Sequence, residues 1–196
     1  MHLVKFIAAF ATAAILTGCA HPLVIAPDTT KLEAPAKTPK HKAVVGYYIS
    51  DEQRAQEFVS PGGGSDKVSY FPYRDMDLGL FKILGNCFAD VVRLKSRNDA
   101  AAVSEHRIAY IVTPQLKTDS SSPSPFTWPP TEFKVDLSAS ITDSLGKPVM
   151  TKTAQGVGRA EFDEFKTDYA LSGKKAMQDA LQKLQQLLLE ARELDN

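Results

Sequence analysis

Apolar and polar positions divide this chain into stretches of different period. Phe6 to Leu16 is an apolar run of eleven residues. Residues 20–42 show no period; Pro22, Pro27, Pro35 and Pro39 alternate with Lys31, Lys37, Lys40 and Lys42, which predicts an extended tether. Ala43 to Ile49 is dense in strand formers and marks the expected start of the folded part. Asp51 to Phe58 suits a short helical turn, Pro61 to Asp66 a flexible loop, and Lys67 to Tyr73 a short strand. Leu80, Phe81, Leu84, Cys87, Phe88, Val91 and Val92 then recur at steps of three and four. That spacing predicts a helix from Asp75 or Asp77, as cap, through Lys95. A short Ala-rich segment from Asn98 leads to a buried strand, Ile108 to Leu116.

Alternation is clearest at Glu132 to Thr142. Phe133, Val135, Leu137, Ala139 and Ile141 face one way, and Lys134, Asp136, Ser138, Ser140 and Thr142 the other. Asp143 to Lys147 is a turn, and Pro148 to Glu161 the returning strand, with Gly156 and Gly158 as sites for a bulge. A helix from Asp168 to Leu194 closes the chain. Its stripe of Ala176, Met177, Ala180, Leu181, Leu184, Leu187, Leu188 and Ala191 covers the sheet. The expected fold is α+β, or an α/β sandwich. One mixed or mainly antiparallel sheet carries two main helices on one side, in a single domain over 43–196.

The apolar run follows Lys5 and ends in Leu16-Thr17-Gly18-Cys19. Charge, grease and small residues form the three-part layout of a secretory signal over residues 1–18. As a helix the run spans about 16 Å, short of the roughly 30 Å hydrocarbon core. Leu16-Thr17-Gly18-Cys19 resembles the bacterial lipoprotein processing box. The resemblance implies cleavage between Gly18 and Cys19 and lipid on the Cys19 thiol. It also implies, through Ala20, sorting to the outer membrane, on its periplasmic side.

Composition narrows the function classes. The leader holds one basic and no acidic residue, so 22 basic and 23 acidic side chains stay with the mature 178 residues, a net of −1. Such balance argues against electrostatic capture of nucleic acid. Cys87 is then the remaining thiol, with apolar neighbours at helical spacing, and reads as buried and inert. Of four histidines only His106 falls within the expected domain, and no zinc spacing or nucleophile motif accompanies it. After Gly64 a phosphate loop would need a lysine followed by Ser or Thr; Ser65-Asp66-Lys67-Val68 follows instead, and Asp66 would repel phosphate. The acidic run Glu161, Asp163, Glu164 and Asp168 lacks calcium-loop spacing and reads as a solvated turn, with an acidic docking surface as the other reading. No catalytic residue, metal site or cofactor is expected. The segment Ser120 to Thr131 stands out, with four of the twelve prolines and the only tryptophan. Stiff prolines around large rings suit partner binding, which makes Phe126, Trp128, Pro129 and Pro130 the candidate contacts.

The layout as a whole resembles small outer-membrane lipoproteins of Gram-negative bacteria. Auxiliary lipoproteins of ABC-type lipid transport and the amino-terminal sheet domains of some secretion lipoproteins are similar. The shared features are the Cys19 box, the Pro-rich segment, the strand at Ala43 to Ile49, the helix Leu78 to Lys95, Tyr110-Ile111-Val112-Thr113-Pro114, the Asp143 to Gly146 turn and the closing helix. The resemblance implies no catalytic residues. Three function classes follow: a non-catalytic module that is moored by lipid and binds an envelope protein; a carrier with a cavity lined by Leu80, Leu84 and Phe133; and a hydrolase built around His106.

Overall fold

A computed structural model describes residues 20–34, 39–63, 66–122 and 129–195. Eight strands and five α-helices are formed among them. In chain order these are β1 His21–Pro22, β2 His41–Tyr47, α1 Asp51–Ala55, β3 Phe58–Gly63, β4 Asp66–Tyr70, α2 Pro72–Cys87 and β5 Phe88–Arg93. Then follow α3 Ala100–His106, β6 Ile108–Ser121, β7 Glu132–Asp143, β8 Pro148–Arg159, α4 Phe162–Phe165 and α5 Leu171–Leu189.

The main sheet runs β5-β2-β6-β7-β8, and a second, smaller sheet runs β1-β4-β3. β2 is parallel to both β5 and β6, whereas β6, β7 and β8 form an antiparallel meander. The fold is therefore α+β with a mixed sheet, as the pattern predicts, but with two sheets rather than one. β6 is 14 residues long, about 45 Å at 3.3 Å per residue, so it outruns β2. The small sheet covers the overhang. Tyr70 Oη and Thr118 Oγ1 lie 2.7 Å apart, Ser60 Oγ and Ser120 Oγ 2.6 Å apart, and Ser120 Oγ donates to Pro61 O at 2.6 Å. These hydroxyls satisfy one another where the sheets meet. Burial pushes the Tyr70 hydroxyl pKa up.

The core lies between the main sheet and α2 with α5. Val45, Tyr47, Val112, Phe133, Leu137 and Ile141 meet Leu80, Leu84, Met177, Leu181 and Leu188 there. α3 packs on the opposite face through Ile111, Val103 and Ala102, so the helices do not all lie on one side. The rest of that outer face stays polar, with Ser138 and Thr153 hydroxyls paired at 2.8 Å and Gln155 donating to Asp136 at 2.8 Å.

The expected helix through Lys95 is two elements. α2 starts with Pro72 at its first turn, where the missing N–H costs nothing, and ends at Cys87. Phe88 begins β5 without an intervening loop. Val91 and Val92 fit the helical spacing, but their branched side chains favour a strand, and the backbone turns extended at Phe88, the C-cap. Asp75 is not a cap. It is buried in α2, and its carboxylate accepts the Ile25 N–H at 2.9 Å. Of the expected loop at Pro61 to Asp66, Pro61 to Gly63 belong to β3 and Asp66 to β4, which pair as an antiparallel hairpin; Gly64 and Ser65 lie outside the described residues.

Two glycines expected to mark a bulge have another purpose. The β7–β8 register is unbroken at Gly156 and Gly158. A Cβ on Gly158 would collide with the Ser172 carbonyl and stand 2.9 Å from Lys175 Cβ; one on Gly156 would meet the Ala176 carbonyl and stand 2.5 Å from Ala180 N. Bare backbone thus lets α5 lie directly on β8. α5 also finishes the sheet's edge: Val157 N donates to Asp179 at 3.0 Å, Lys183 Nζ to Gln155 O at 2.9 Å and Lys175 Nζ to Arg159 O at 3.0 Å. Edge groups satisfied in this way are closed to strand pairing.

The largest correction concerns the expected tether. Residues 20–34 form a strap on the domain. β1 pairs in parallel with β4, and Leu23, Ile25 and Leu32 are buried in the core. Pro27 and Leu181 close over Gly79, and Ile25 fits against Gly173. The irregular backbone is satisfied by side chains: Asn86 donates to Leu32 O at 2.9 Å, Gln182 to Lys31 O at 3.0 Å and Gln185 to Glu33 O at 2.9 Å. His41, expected in the tether, is buried in β2. Its Nδ1 lies 2.6 Å from Asp195 and its Nε2 2.8 Å from Leu188 O. The folded domain thus begins at the start of the described chain and not at Ala43.

Candidate functional site

Cys19 and Gly18, the expected processing site, and Phe126 and Trp128, the expected partner contacts, lie outside the described residues. Their neighbours are placed. His21 pairs with Val68 and Pro22 with Ser69, so the chain enters the fold beside the β3–β4 turn. Pro129 and Pro130, also named as candidate contacts, are buried. The Pro130 carbonyl accepts the Ser172 hydroxyl at 2.8 Å, and the Thr131 carbonyl accepts Ala160 N–H at 3.0 Å. Both prolines hold one stem of the 120–131 segment on the domain.

These features share one end of the molecule. Along β6, Leu116 is level with Tyr73, Thr118 with Tyr70, and Ser120 with Ser60 and Pro61. β3 therefore runs the same way as β6, and its turn projects beside Ser121. At this end stand Arg159 on β8, Glu132 on β7 and Ser121 on β6 of the main sheet, and Pro61 on β3, Lys67 on β4 and His21 on β1 of the small one. α4 caps the β8 side. A cleft of about 470 Å³ opens there, with Ser121, Thr131, Glu132, Arg159 and Phe162 among its walls.

The acidic run lies at this end, where three of its four acids, and Glu132 beside it, have a basic partner. Asp163 pairs with Lys166 at 2.7 Å, Glu164 with Lys175 at 2.8 Å, Asp168 with Lys174 at 2.8 Å, and Glu132 with Arg159 at 3.1 Å. The Lys175 ammonium holds the Glu164 carboxyl below its ordinary range. Phe165 is buried, but Phe162 is 63% exposed. This matches the solvated turn; as an acidic docking surface it has little uncompensated charge.

A second charged group sits at the carboxyl ends of β2 and β5, which pattern reading did not find. Asp77 accepts Tyr47 Oη at 3.0 Å, contacts Arg93 at 3.4 Å and is bonded by Arg54. Burial, with the Asp77 charge beside it, pushes the Tyr47 hydroxyl up to about 12. The adjoining cleft of about 460 Å³ is bordered by Tyr48, Glu52, Arg93 and Lys95. Arg54 and Asp77 spend their charges on each other, which clamps α1 to α2. The three partners of Asp77 lie 16 to 30 residues away in sequence, so no local spacing announces them.

His106 ends α3 and is exposed, on the outer face of the sheet. Cys87 is buried between α2 and α5, where burial pushes its thiol up to about 12. The sheet separates the two, so they form no nucleophile–base pair. Among the described residues no three His, Cys, Asp or Glu side chains gather as a metal site, and no described helix is long and apolar enough to cross a membrane. Leu80, Leu84 and Phe133, expected to line a carrier's cavity, have no exposed surface and share one filled core.

No family model and no curated protein matches this sequence. The fold is similar to that of protein XCC0632 from Xanthomonas campestris, described by the family model DUF330. The identity is 10% and the TM-score 0.50, over 87% of this chain and 94% of that one. A "putative lipoprotein" from Caulobacter crescentus CB15 aligns at 13% identity with a TM-score of 0.28, over 49% of this chain and 83% of the other. The likeness to XCC0632 at such low identity is one of fold.

Proposed function

We propose that the protein is a non-catalytic envelope lipoprotein, moored through Cys19 to the periplasmic face of the outer membrane, where it binds a protein partner. The observation that carries the reading is Leu16-Thr17-Gly18-Cys19 directly after a charged start and an eleven-residue apolar run. The strap supports it, because an acyl chain on Cys19 would join a residue next to the folded body. One acyl chain holds a protein only marginally, and the added chains of a bacterial lipoprotein make the mooring permanent. Confinement near the leaflet raises the effective concentration of the domain for a partner there.

Binding rather than catalysis is favoured by how the reactive groups are arranged. The Cys87 thiol is buried, His106 stands apart from it, and Asp77 is taken up by Arg54 and Tyr47. The carrier reading draws no support from the closed core. Phe126 and Trp128 remain the proposed partner contact.

Palmitate labelling of cells expressing the protein tests the mooring. Wild type is expected to take up label and fractionate with the outer membrane, and Cys19→Ser to do neither. A Cys19→Ser protein that matures and fractionates like wild type sinks the proposal. Crosslinking in cells, comparing wild type with Phe126→Ala plus Trp128→Ala, tests the partner contact: an unchanged crosslinked set rules the loop out.

A further inference from the structure

The strap decides how such a domain sits on the membrane, an inference that rests on the Cys19 anchor proposed above. β1 begins at His21 and is hydrogen-bonded into the small sheet. Only Ala20 separates Cys19 from that strand. At about 3.8 Å per residue the anchor has less than about 10 Å of slack. A lipid attached there therefore fixes which end of the body faces the leaflet. It is the end that carries the stems of the 120–131 segment and α4.

This end suits a lipid surface in its chemistry too. Phe162 is 63% exposed and Tyr169 51% exposed, and aromatic rings favour the headgroup level of a bilayer. Phe162 is held for that position: its ring packs edge-on against buried Phe165, with centroids 5.3 Å apart, and Lys166 Nζ lies 4.4 Å from its centre. Asp163, Glu164 and Asp168 are each paired with a lysine, so the acids of α4 and its exit oppose an approach to phosphates only weakly. The strap crosses to the same end of α5, where Ile25 fits against Gly173, so lipid and ring stand on one end of the body.

We propose that the end of the domain bearing α4 and the start of β1 is a membrane-contact face, seated on the phospholipid leaflet that holds the Cys19 lipid, with Phe162 at headgroup depth. The charge balance makes this seat independent of anionic lipid and insensitive to salt.

The full lipidated protein in phosphatidylcholine vesicles, with lipids brominated at shallow acyl positions, tests it. Trp128→Phe removes the natural tryptophan, and Phe162→Trp or Leu145→Trp then adds one reporter. Leu145 is 91% exposed in the β7–β8 turn, at the opposite end. The expected result is loss of emission from the Phe162→Trp protein in brominated vesicles and none from the Leu145→Trp protein, unchanged by salt. Equal emission from both, with mass spectrometry showing lipid on Cys19, overturns the seat and leaves the anchor standing. Absence of that lipid sinks the anchor, and the seat with it. Nitroxides at Lys67→Cys and Ser144→Cys give an independent reading should α4 not accept tryptophan. Greater exposure to lipid-dissolved oxygen at 67 than at 144 supports the seat, and no difference overturns it.

Discussion

β8 and the strap both lie against α5, and they are held there by opposite means. β8 approaches through absence: Gly156 and Gly158 leave backbone against backbone, and Ala176 and Ala180 keep the helix side flat. The strap approaches through presence. Leu23, Ile25 and Leu32 insert into the core, while Asn86, Gln182 and Gln185 reach out to an irregular backbone. Regular strands need no such help, because their partners are the neighbouring strands. A chain without regular structure must have its carbonyls met one at a time. Burial of three large apolar side chains contributes about 5–9 kcal/mol as an upper bound, as much as the whole net stability of many domains.

The sharpest way to break the contrast is on the β8 side. Gly158→Val puts a branched side chain into the Ser172 carbonyl, with helix backbone that cannot yield. The expected loss exceeds the usual 1–3 kcal/mol or so of overpacking, and urea unfolding should show a protein largely unfolded at equilibrium. Leu32→Ala comes next. A buried leucine in a filled core costs about 2–5 kcal/mol when truncated, whereas the same change in a solvated tether would leave the urea midpoint where it was.

Asp75 gives a smaller effect with a distinctive pH signature. Burial raises its carboxyl pKa above the ordinary value, in spite of the Ile25 N–H bond. The folded state then holds a proton more tightly than the unfolded one. Its contribution is present at low pH and lost as pH rises from the ordinary carboxylate range through the raised value. Asp75→Asn keeps an acceptor for Ile25 and removes the ionisation. Its stability, by urea titration at several pH values, should lose that falling slope and match or exceed wild type at neutral pH. Asp179→Ala with Lys183→Ala is expected to cost only about 1 kcal/mol or less in stability. Its readout is self-association in sedimentation, because the β8 edge loses two of its covers.

Much of the meander was legible, because β7 has one wet and one dry face and its period shows in the residues themselves. The short helical turn expected from Asp51 is α1, held by the reciprocal cap of Ser50 with Gln53, while the Ala-rich segment after Asn98 proves to be a helix that Asp99 caps at Ala102. The boundary at Cys87 was not legible, since Val91 and Val92 satisfy a helical period and a strand equally well. Nor was the strap. Its prolines and lysines are those of a linker, and what holds it lies some 150 residues away on α5. The charged group at Asp77 was hidden by distance in sequence. Pro129 and Pro130 are buried on the domain, since prolines beside aromatic rings serve equally well to pin a stem.

The seat of the strap has a consequence for the order of events in biosynthesis. On the proposed route of export and lipidation, the segment next to Cys19 would leave the translocation channel first, yet Gln182, Gln185 and the Leu188 carbonyl that meets His41 would arrive almost last. Closure across such a separation is slow compared with local structure. The cysteine would therefore stay open to the acylating and cleaving enzymes until synthesis is nearly complete, and folding itself would put an end to that access.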